Sequence, residues 1–296
     1  MRIGFLGFGE VGQRFASDLR ASSAELVLGA YDLSMHEVAA GEGMRRRAAA
    51  DGVELCAGAA ALAESSDLIF SAVTAEQTGA AARSLCTRSL DGAWVIDLNS
   101  AAPASKIECA AMIAAAGGRY VEAAVMTSVP PHGIRVPMLL GGTHAAAAER
   151  VLRELGFSAQ TVSADFGIAS AIKLCRSVMI KGLEALVIES FSAARKLGVE
   201  QQVLDSLAET YPQFDWEQQG DYLFSRVIQH GKRRAEEMRA SAAMIDATGV
   251  GGVMAAAIAQ RQASVAQLCA AGAFENPADK KPWRERADEM GTFLVS

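Results

Sequence analysis

The stretch RIGFLGFGEVGQRF, Arg2 to Phe15, joins an apolar run to three glycines, Gly7, Gly9 and Gly12, in the spacing G-x-G-x-x-G. That spacing alone is weak, because many chains match it by chance. Its surroundings give it meaning. Ile3 to Gly7 reads as a buried parallel strand, and Val11, Phe15 and Leu19 follow at helical spacing. A second apolar run, ELVLGAYD, ends in Asp32, 20 residues beyond Gly12. At that separation a carboxylate reaches the ribose hydroxyls of an adenine dinucleotide. Gly7 then serves the tight turn, Gly9 lets the backbone approach a pyrophosphate, and Gly12 lets helix and strand pack closely. Phe8, Glu10 and Val11 complete a loop whose free N–H groups sit at the positive end of a helix.

Strand and helix patterns alternate over roughly the first 125 residues. A helical stretch near 36–50 precedes a short strand at Val53 to Cys56 and a strong one, SDLIFSAV, from Ser66 to Val73. The helix AEQTGAAARSLCTRSL, the strand AWVIDLNS, a helix near 103–116 and the strand RYVEAAVM follow. This order predicts an α/β, doubly wound parallel sheet of the Rossmann type with right-handed crossovers. From about residue 165 the pattern changes. Some thirty residues run without proline to Gly198, apolar on most sides, and helical segments follow at 200–210, 216–245 and 251–271. Turns fall at Pro212 and Gly249 to Gly252, and no internal repeat is evident. The expected domains are 1–164, binding a nicotinamide dinucleotide, and 165–296, an all-helical domain for substrate and dimerisation.

Composition excludes several classes. A net charge of −6, with Arg45 to Arg47 and Lys232 to Arg234 as the basic runs, does not suit a nucleic-acid binder. The two runs read as solvated helix faces. Five cysteines far apart, with no C-x-x-C pair, indicate reduced thiols rather than a disulfide framework or a zinc site. His36, His132 and His144 lack ligand spacing, so no metal is expected. With no leader pattern and no membrane span in the sequence, the expectation is a soluble cytoplasmic protein. Asp32 favours NAD, since its charge repels a ribose phosphate. NADP stays open, although Arg45 to Arg47 lie too far along the chain to overturn that preference.

Four segments in order carry a resemblance to the β-hydroxyacid dehydrogenase family, which includes 3-hydroxyisobutyrate dehydrogenases and is related to 6-phosphogluconate dehydrogenases. IGFLGFGEVG resembles its nucleotide turn. IDLNSAAP, Ile96 to Pro103, resembles its D-x-S-T-x-x-P segment, with Asn99 and Ser100 in the places near the nicotinamide ribose. VEAAVMTSVPPHGIRVPMLLGG, Val121 to Gly142, stands where the family has a D-A-P-V-S-G-G substrate loop. GIASAIKLCRS, Gly167 to Ser177, matches its G-x-G-x-x-x-K-x-x-x-N signature at Gly167 and Lys173. Departures are equally specific. Met126, Thr127 and Ser128 replace the Ser-Gly-Gly of the loop, Pro130 and Pro131 follow, and Ser177 replaces the asparagine, so one substrate hydrogen bond is lost or passes through water. The set resembles a divergent branch with a C-terminal domain of unknown function.

The resemblance implies an NAD-dependent oxidoreductase that transfers a hydride between nicotinamide and a hydroxy acid or related polar alcohol. Lys173 is the implied general acid/base, desolvated so that the neutral amine is accessible. Met126, Thr127, Ser128, Ser177 and His230 are the substrate-binding candidates, with His132 a weaker one. Gly7 to Gly12, Asp32, Val73, Thr74, Asn99, Ser100 and Lys232 are the cofactor-binding candidates. Lys181 reads as structural, a salt-bridge partner of Glu184 or Glu189. Two other functions compete. Oxidative decarboxylation of a 6-phosphogluconate-like sugar acid needs a further acid, for which Glu184 or His230 is available. A non-catalytic dinucleotide sensor would keep the glycines and Asp32 without using Lys173. An imine reductase is disfavoured by the lysine itself. The apolar long helix suggests a homodimer or larger assembly.

Overall fold

A computed structural model describes residues 1–293, apart from the side chains of residues 38–40. The chain divides into two compact units, Met1–Lys173 and Leu174–Ser296. The first opens with β1 (Arg2–Leu6), α1 (Glu10–Ser22), β2 (Val27–Tyr31), α2 (Val38–Ala50), β3 (Val53–Leu55) and α3 (Ala59–Glu64). It continues with β4 (Leu68–Ser71), α4 (Thr78–Leu85), β5 (Trp94–Asp97), α5 (Pro103–Ala115), β6 (Arg119–Val125) and the single turn α6 (Val129–His132). β7 (Met138–Gly141), α7 (Ala145–Glu154) and β8 (Ala159–Ser163) complete its sheet.

The eight strands lie in the order β3-β2-β1-β4-β5-β6-β7-β8. All neighbouring pairs are parallel except β6 and β7, which run antiparallel. β4 and β5 are buried at every position, which is why they read as unbroken apolar runs rather than as alternating ones. The expected doubly wound sheet is therefore present, extended by two strands. β7 lies in MLLG, a stretch assigned to the substrate loop from sequence, and the segment that holds α6 and a 3-10 turn at Gly133–Arg135 brings it back antiparallel beside β6.

Phe5, Phe8, Phe15, Phe70 and Phe157 pack together beneath the glycine turn, with ring centroids 5.1 to 6.2 Å apart. Burying each ring stabilises the fold by about 1.5–3 kcal/mol. Phe8 is the residue between Gly7 and Gly9, so its buried ring fixes the backbone of the loop it belongs to.

Helix α8 (Ile168–Leu197) leaves the first unit and enters the second. The boundary between the two compact units falls after Lys173, inside this helix. The helix's first turns are bonded to the sheet, as shown below. The second unit adds α9 (Glu200–Thr210), α10 (Trp216–Ala247), α11 (Val253–Ala270) and α12 (Trp283–Phe293). Its main core gathers Val187, Ile188 and Phe191 from α8, Phe224 and Val227 from α10, and Trp283 from α12. Trp283 is wholly buried and lies against Gly220, where an added Cβ would fall 2.5 Å from its ring. Among the described residues no helix is long and apolar enough to cross a membrane. All five cysteines are free thiols.

Candidate active site

The three glycines of the nucleotide turn answer to different needs. Gly7 has φ +92, and a Cβ there would lie 2.5 Å from the Ala72 carbonyl oxygen. A Cβ on Gly12 would lie 2.6 Å from the Gly7 oxygen. The fold itself demands both. Gly9 differs, because its φ is −78 and a Cβ there would meet nothing within 4 Å. No protein atom requires that glycine, whereas a group brought against the backbone does. Gly9 also caps α1 without a side-chain hydrogen bond, which leaves first-turn N–H groups for an anion. The turn thus fits a dinucleotide pyrophosphate.

Within the turn, the Phe8 ring belongs to the core and its N–H donates to Asp32 Oδ2 at 2.8 Å. Val11 is half-buried against the core, and Glu10 is exposed. Asp32 Oδ1 accepts from the Ser34 N–H at 2.9 Å and from its hydroxyl at 2.6 Å. The carboxylate is therefore fixed at the end of β2, against the glycine turn, with lone pairs left for further donors. Arg45 and Arg47 are nearer to this corner than their sequence distance suggested. Arg45 Nη1 reaches the Met35 carbonyl at 3.5 Å, and Arg47 donates to Gln13 of α1. The wrap of α2 back onto the turn brings them there.

A buried polar frame shapes the neighbouring loops. Asn99 Oδ1 accepts from the Val73 N–H at 2.8 Å, and Asn99 Nδ2 donates to Ser71 Oγ at 3.0 Å. The Asn99 side chain is thus turned inward and holds the loop that leaves β4. Thr74, next in that loop, precedes a short 3-10 turn at Ala75–Gln77. Asp97 Oδ1 takes the Asn99 N–H at 2.9 Å and pairs with Lys106 Nζ at 2.9 Å, while its Oδ2 accepts the Tyr120 hydroxyl at 2.6 Å. Burial, followed by the Asp97 charge, pushes the Tyr120 phenol well above its ordinary pKa, so it stays a donor. A buried pair satisfied this fully tolerates loss of neither partner, at about 3–5 kcal/mol for a truncation.

This frame ends at Ser100, and Ser100 Oγ accepts from Lys173 Nζ at 2.6 Å. Lys173 is half-buried. What aims it is Glu122 on β6, which is wholly buried. Glu122 Oε1 accepts the Ala169 N–H at 3.0 Å, and its Oε2 accepts the Ser170 hydroxyl at 2.7 Å. A carboxylate at the first turn of α8 satisfies orphan N–H groups and meets the positive end of the helix. Gly141 leaves the room, since a Cβ there would fall 2.4 Å from Glu122 Oε1. Sequence reasoning missed Glu122, although a lone acid in the apolar strand VEAAV was the available signal.

The substrate-loop candidates follow β6. The Met126 N–H donates to the Pro137 carbonyl at 2.9 Å, and Thr127 and Ser128 are exposed. These residues, Ser100 and the glycine turn all leave the carboxyl ends of parallel strands, the edge at which ligands bind in open α/β sheets.

In the helical unit, Ser177 Oγ donates to Glu237 Oε1 at 2.6 Å, and Lys181 Nζ donates to the same oxygen at 2.9 Å and to Ser177 Oγ at 3.1 Å. Burial lowers the Lys181 pKa, and Glu237 opposes it. The expectation that Lys181 pairs with Glu184 or Glu189 is corrected. Glu184 is held by Arg234 and Gln262, and Glu189 by Arg261. His230 does not join Ser177, because Glu237 does so from two turns further along α10. Burial and the charges of Arg226, Arg233 and Arg234 press the His230 pKa down to about 4. Lys232 is exposed on the same helix, and His132 is exposed on α6. Among the described residues no cluster of His, Cys, Asp and Glu is able to hold a metal.

Residues 2–163 match the family described as the NAD binding domain of 6-phosphogluconate dehydrogenase, and residues 194–265 match a domain of unknown function, DUF1932. A conserved hypothetical protein from Sinorhizobium meliloti 1021 shares 37% identity, with 99% of this chain and 96% of that one covered at a TM-score of 0.78. An uncharacterised 28.5 kDa protein of Methanothermus fervidus is 27% identical over 80% of this chain and 88% of its own. The 3-hydroxyisobutyrate dehydrogenase of Mycobacterium tuberculosis, solved with L-serine, is 17% identical, covers 98% of both chains and has a TM-score of 0.71, a likeness of fold. The chain belongs to the family built on the NAD binding domain of 6-phosphogluconate dehydrogenase, in the branch that carries DUF1932 behind it and shares the fold of the 3-hydroxyisobutyrate dehydrogenases.

Proposed function

We propose that the protein is an NAD-dependent oxidoreductase of a hydroxy acid or related polar alcohol, with Lys173 as its general acid/base. The observation that carries this reading is the 2.6 Å hydrogen bond from Lys173 Nζ to Ser100 Oγ, at the edge of the sheet where the glycine turn also opens. A bound nicotinamide dinucleotide supplies the hydride acceptor or donor. Gly9 and the α1 N-terminus hold its phosphates, and Asp32 takes its ribose hydroxyls and favours NAD. Lys173 exchanges a proton with the substrate oxygen, as ammonium when a carbonyl is reduced and as amine when an alcohol is oxidised. Ser100 keeps the amine in place through its hydroxyl. Met126, Thr127 and Ser128 supply the substrate side of the loop after β6.

The buried frame around Asp97 supports the same reading, because its bonds fix Asp97 and Asn99, the residues that lead into Ser100. The acid that a decarboxylation requires finds no such support, since Glu184 is tied to Arg234 and Gln262, and burial among arginines keeps His230 from carrying a proton at neutral pH. The test compares wild type with Lys173→Met and Ser100→Ala on a panel of hydroxy acids and keto acids, with NADH binding measured in parallel. Lys173→Met is expected to bind NADH normally and to lose at least a hundredfold in kcat/KM, and Ser100→Ala roughly tenfold. Activity unchanged in Lys173→Met sinks the proposal. NADH binding with no turnover of any substrate, in wild type and variant alike, gives the sensor reading instead.

The working unit in this proposal is a homodimer. Met179 and Leu186 of α8, seven residues apart on one face, are both exposed and offer an apolar stripe for a second copy. Sedimentation that shows only monomer at micromolar concentration removes this part.

A further inference from the structure

Arg226, His230, Arg233 and Arg234 follow one another along α10 at offsets of four, seven and eight residues, which sets them on one side of the helix. The carboxylate that acts on this group is Glu184 of α8, and it is already engaged. Arg234 Nη1 donates to both of its oxygens, and Gln262 Nε2 of α11 donates to Oε2 at 3.0 Å. Charge is left over. The Nε atoms of Arg226 and Arg234 are buried and have no hydrogen-bond partner among the described residues, and neither does Gln262 Oε1. Burial, reinforced by Arg234, holds the Arg226 guanidinium below its ordinary pKa. Tyr222 and Glu184 oppose this.

Two guanidinium groups share the one carboxylate, each with a buried unpaired Nε–H, and a third, Arg233, adds its charge beside Arg226 and His230, an arrangement that lacks an anion. Exposure grades along it, since Arg233 is exposed, Arg226 and His230 are half-buried, and Arg234 is buried. A group that reaches the inner members from solvent must be small. We infer that this side of α10 is an oxyanion-binding site, built by Arg226, His230 and Arg233 and backed by Arg234, for a small molecule bearing a phosphate or carboxylate. The inference is independent of the oxidoreductase reading, because none of its residues takes part in the proposed proton or cofactor chemistry. His230 becomes the sensing member. With the anion in place its imidazolium is favoured, and without it the neighbouring arginines keep the ring neutral.

The test uses full-length protein with labelled histidine, since four histidines make the spectrum assignable. Sodium sulfate, which keeps its charge across the range, is titrated against sodium chloride at matched ionic strength, with phosphate and succinate as further arms. Sulfate is expected to saturate and to raise His230 proton affinity at least tenfold, with the other three histidines unmoved. Arg226→Gln and Arg233→Gln are each expected to weaken sulfate at least tenfold with NADH affinity unchanged. The Arg233 variant alters only an exposed residue and keeps the test sharp if the Arg226 variant misfolds. Chloride matching sulfate, or both variants binding as wild type does, overturns the inference. So does a His230 shift that appears on dilution without any anion, because that assigns the cluster to contact with a second copy.

Discussion

The carboxylate of Glu122 accepts the hydroxyl of Ser170 at 2.7 Å, across 48 residues of sequence and three residues before Lys173. With its second oxygen on the Ala169 N–H, it fastens the start of α8 to the sheet and so decides where Lys173 Nζ is presented.

Glu122→Gln tests this. The amide oxygen keeps the Ala169 N–H, but its NH2 faces the Ser170 hydroxyl, which must turn from donor to acceptor, and both bonds lose the charge of the carboxylate. The expected cost is about 1–3 kcal/mol in denaturant unfolding. In the oxidoreductase reading kcat falls together with it while KM for the nicotinamide cofactor holds, since the glycine turn is untouched. An unchanged midpoint and kcat would show that other contacts of α8 suffice.

How far the sequence revealed these features depended on range. The glycine turn and Asp32 were legible because their signals are local, a strand, a turn and a helix within about thirty residues. Glu122 was not, because nothing in VEAAV names its partners, which lie on the far side of β7, α7 and β8. β7 escaped because four residues between two loops carry too little pattern to separate a strand from loop. On α10 the substrate-binding candidate was His230, and the residue of this helix that meets Ser177 is Glu237, seven positions later. Two helical turns return to the same face, so face periodicity has no means of choosing between them. α12 was hidden by its polar composition, since its buried face comprises only Trp283, Arg286, Ala287 and Met290.

The glycines separate folding from binding. Gly9→Ala places a methyl in open space at an ordinary φ and is expected to change stability by less than about 1 kcal/mol. Its NADH affinity falls at least tenfold, because the methyl occupies the approach of the pyrophosphate. Gly12→Ala drives a methyl to 2.6 Å from the Gly7 oxygen and is expected to cost about 1–3 kcal/mol of stability in the absence of any cofactor. Calorimetric titration and thermal unfolding of both variants read the two effects. Equal loss of NADH binding without loss of stability in the Gly12 variant contradicts the assignment.

In the oxidoreductase reading, cofactor choice rests on opposed charges. Asp32 stands at the end of β2, and Arg45 reaches the Met35 carbonyl just beyond it. Removing the acid leaves the arginine. Asp32→Ser is therefore expected to lower the NADH:NADPH affinity ratio at least tenfold, and Asp32→Ser with Arg45→Ala to recover part of it. The double variant isolates the arginine, since the loss of the Phe8 and Ser34 hydrogen bonds is common to both proteins. A ratio that does not move assigns the preference elsewhere.

His230 gives a pH signature. Burial, together with Arg226, Arg233 and Arg234, sets its folded pKa at about 4, against an ordinary value of 6.5. Between these values the unfolded chain binds a proton that the folded chain refuses, so acid draws the equilibrium toward unfolding. The contribution is fully present above pH 6.5 and is lost as the pH falls toward 4. His230→Gln removes the ionisable ring and is expected to flatten the stability profile across that window, with no change of slope between pH 7 and 8. Urea midpoints at half-unit intervals measure it, and added sulfate should flatten the wild-type profile in the same direction. A slope in the variant identical to wild type would place the acid-sensitive group elsewhere.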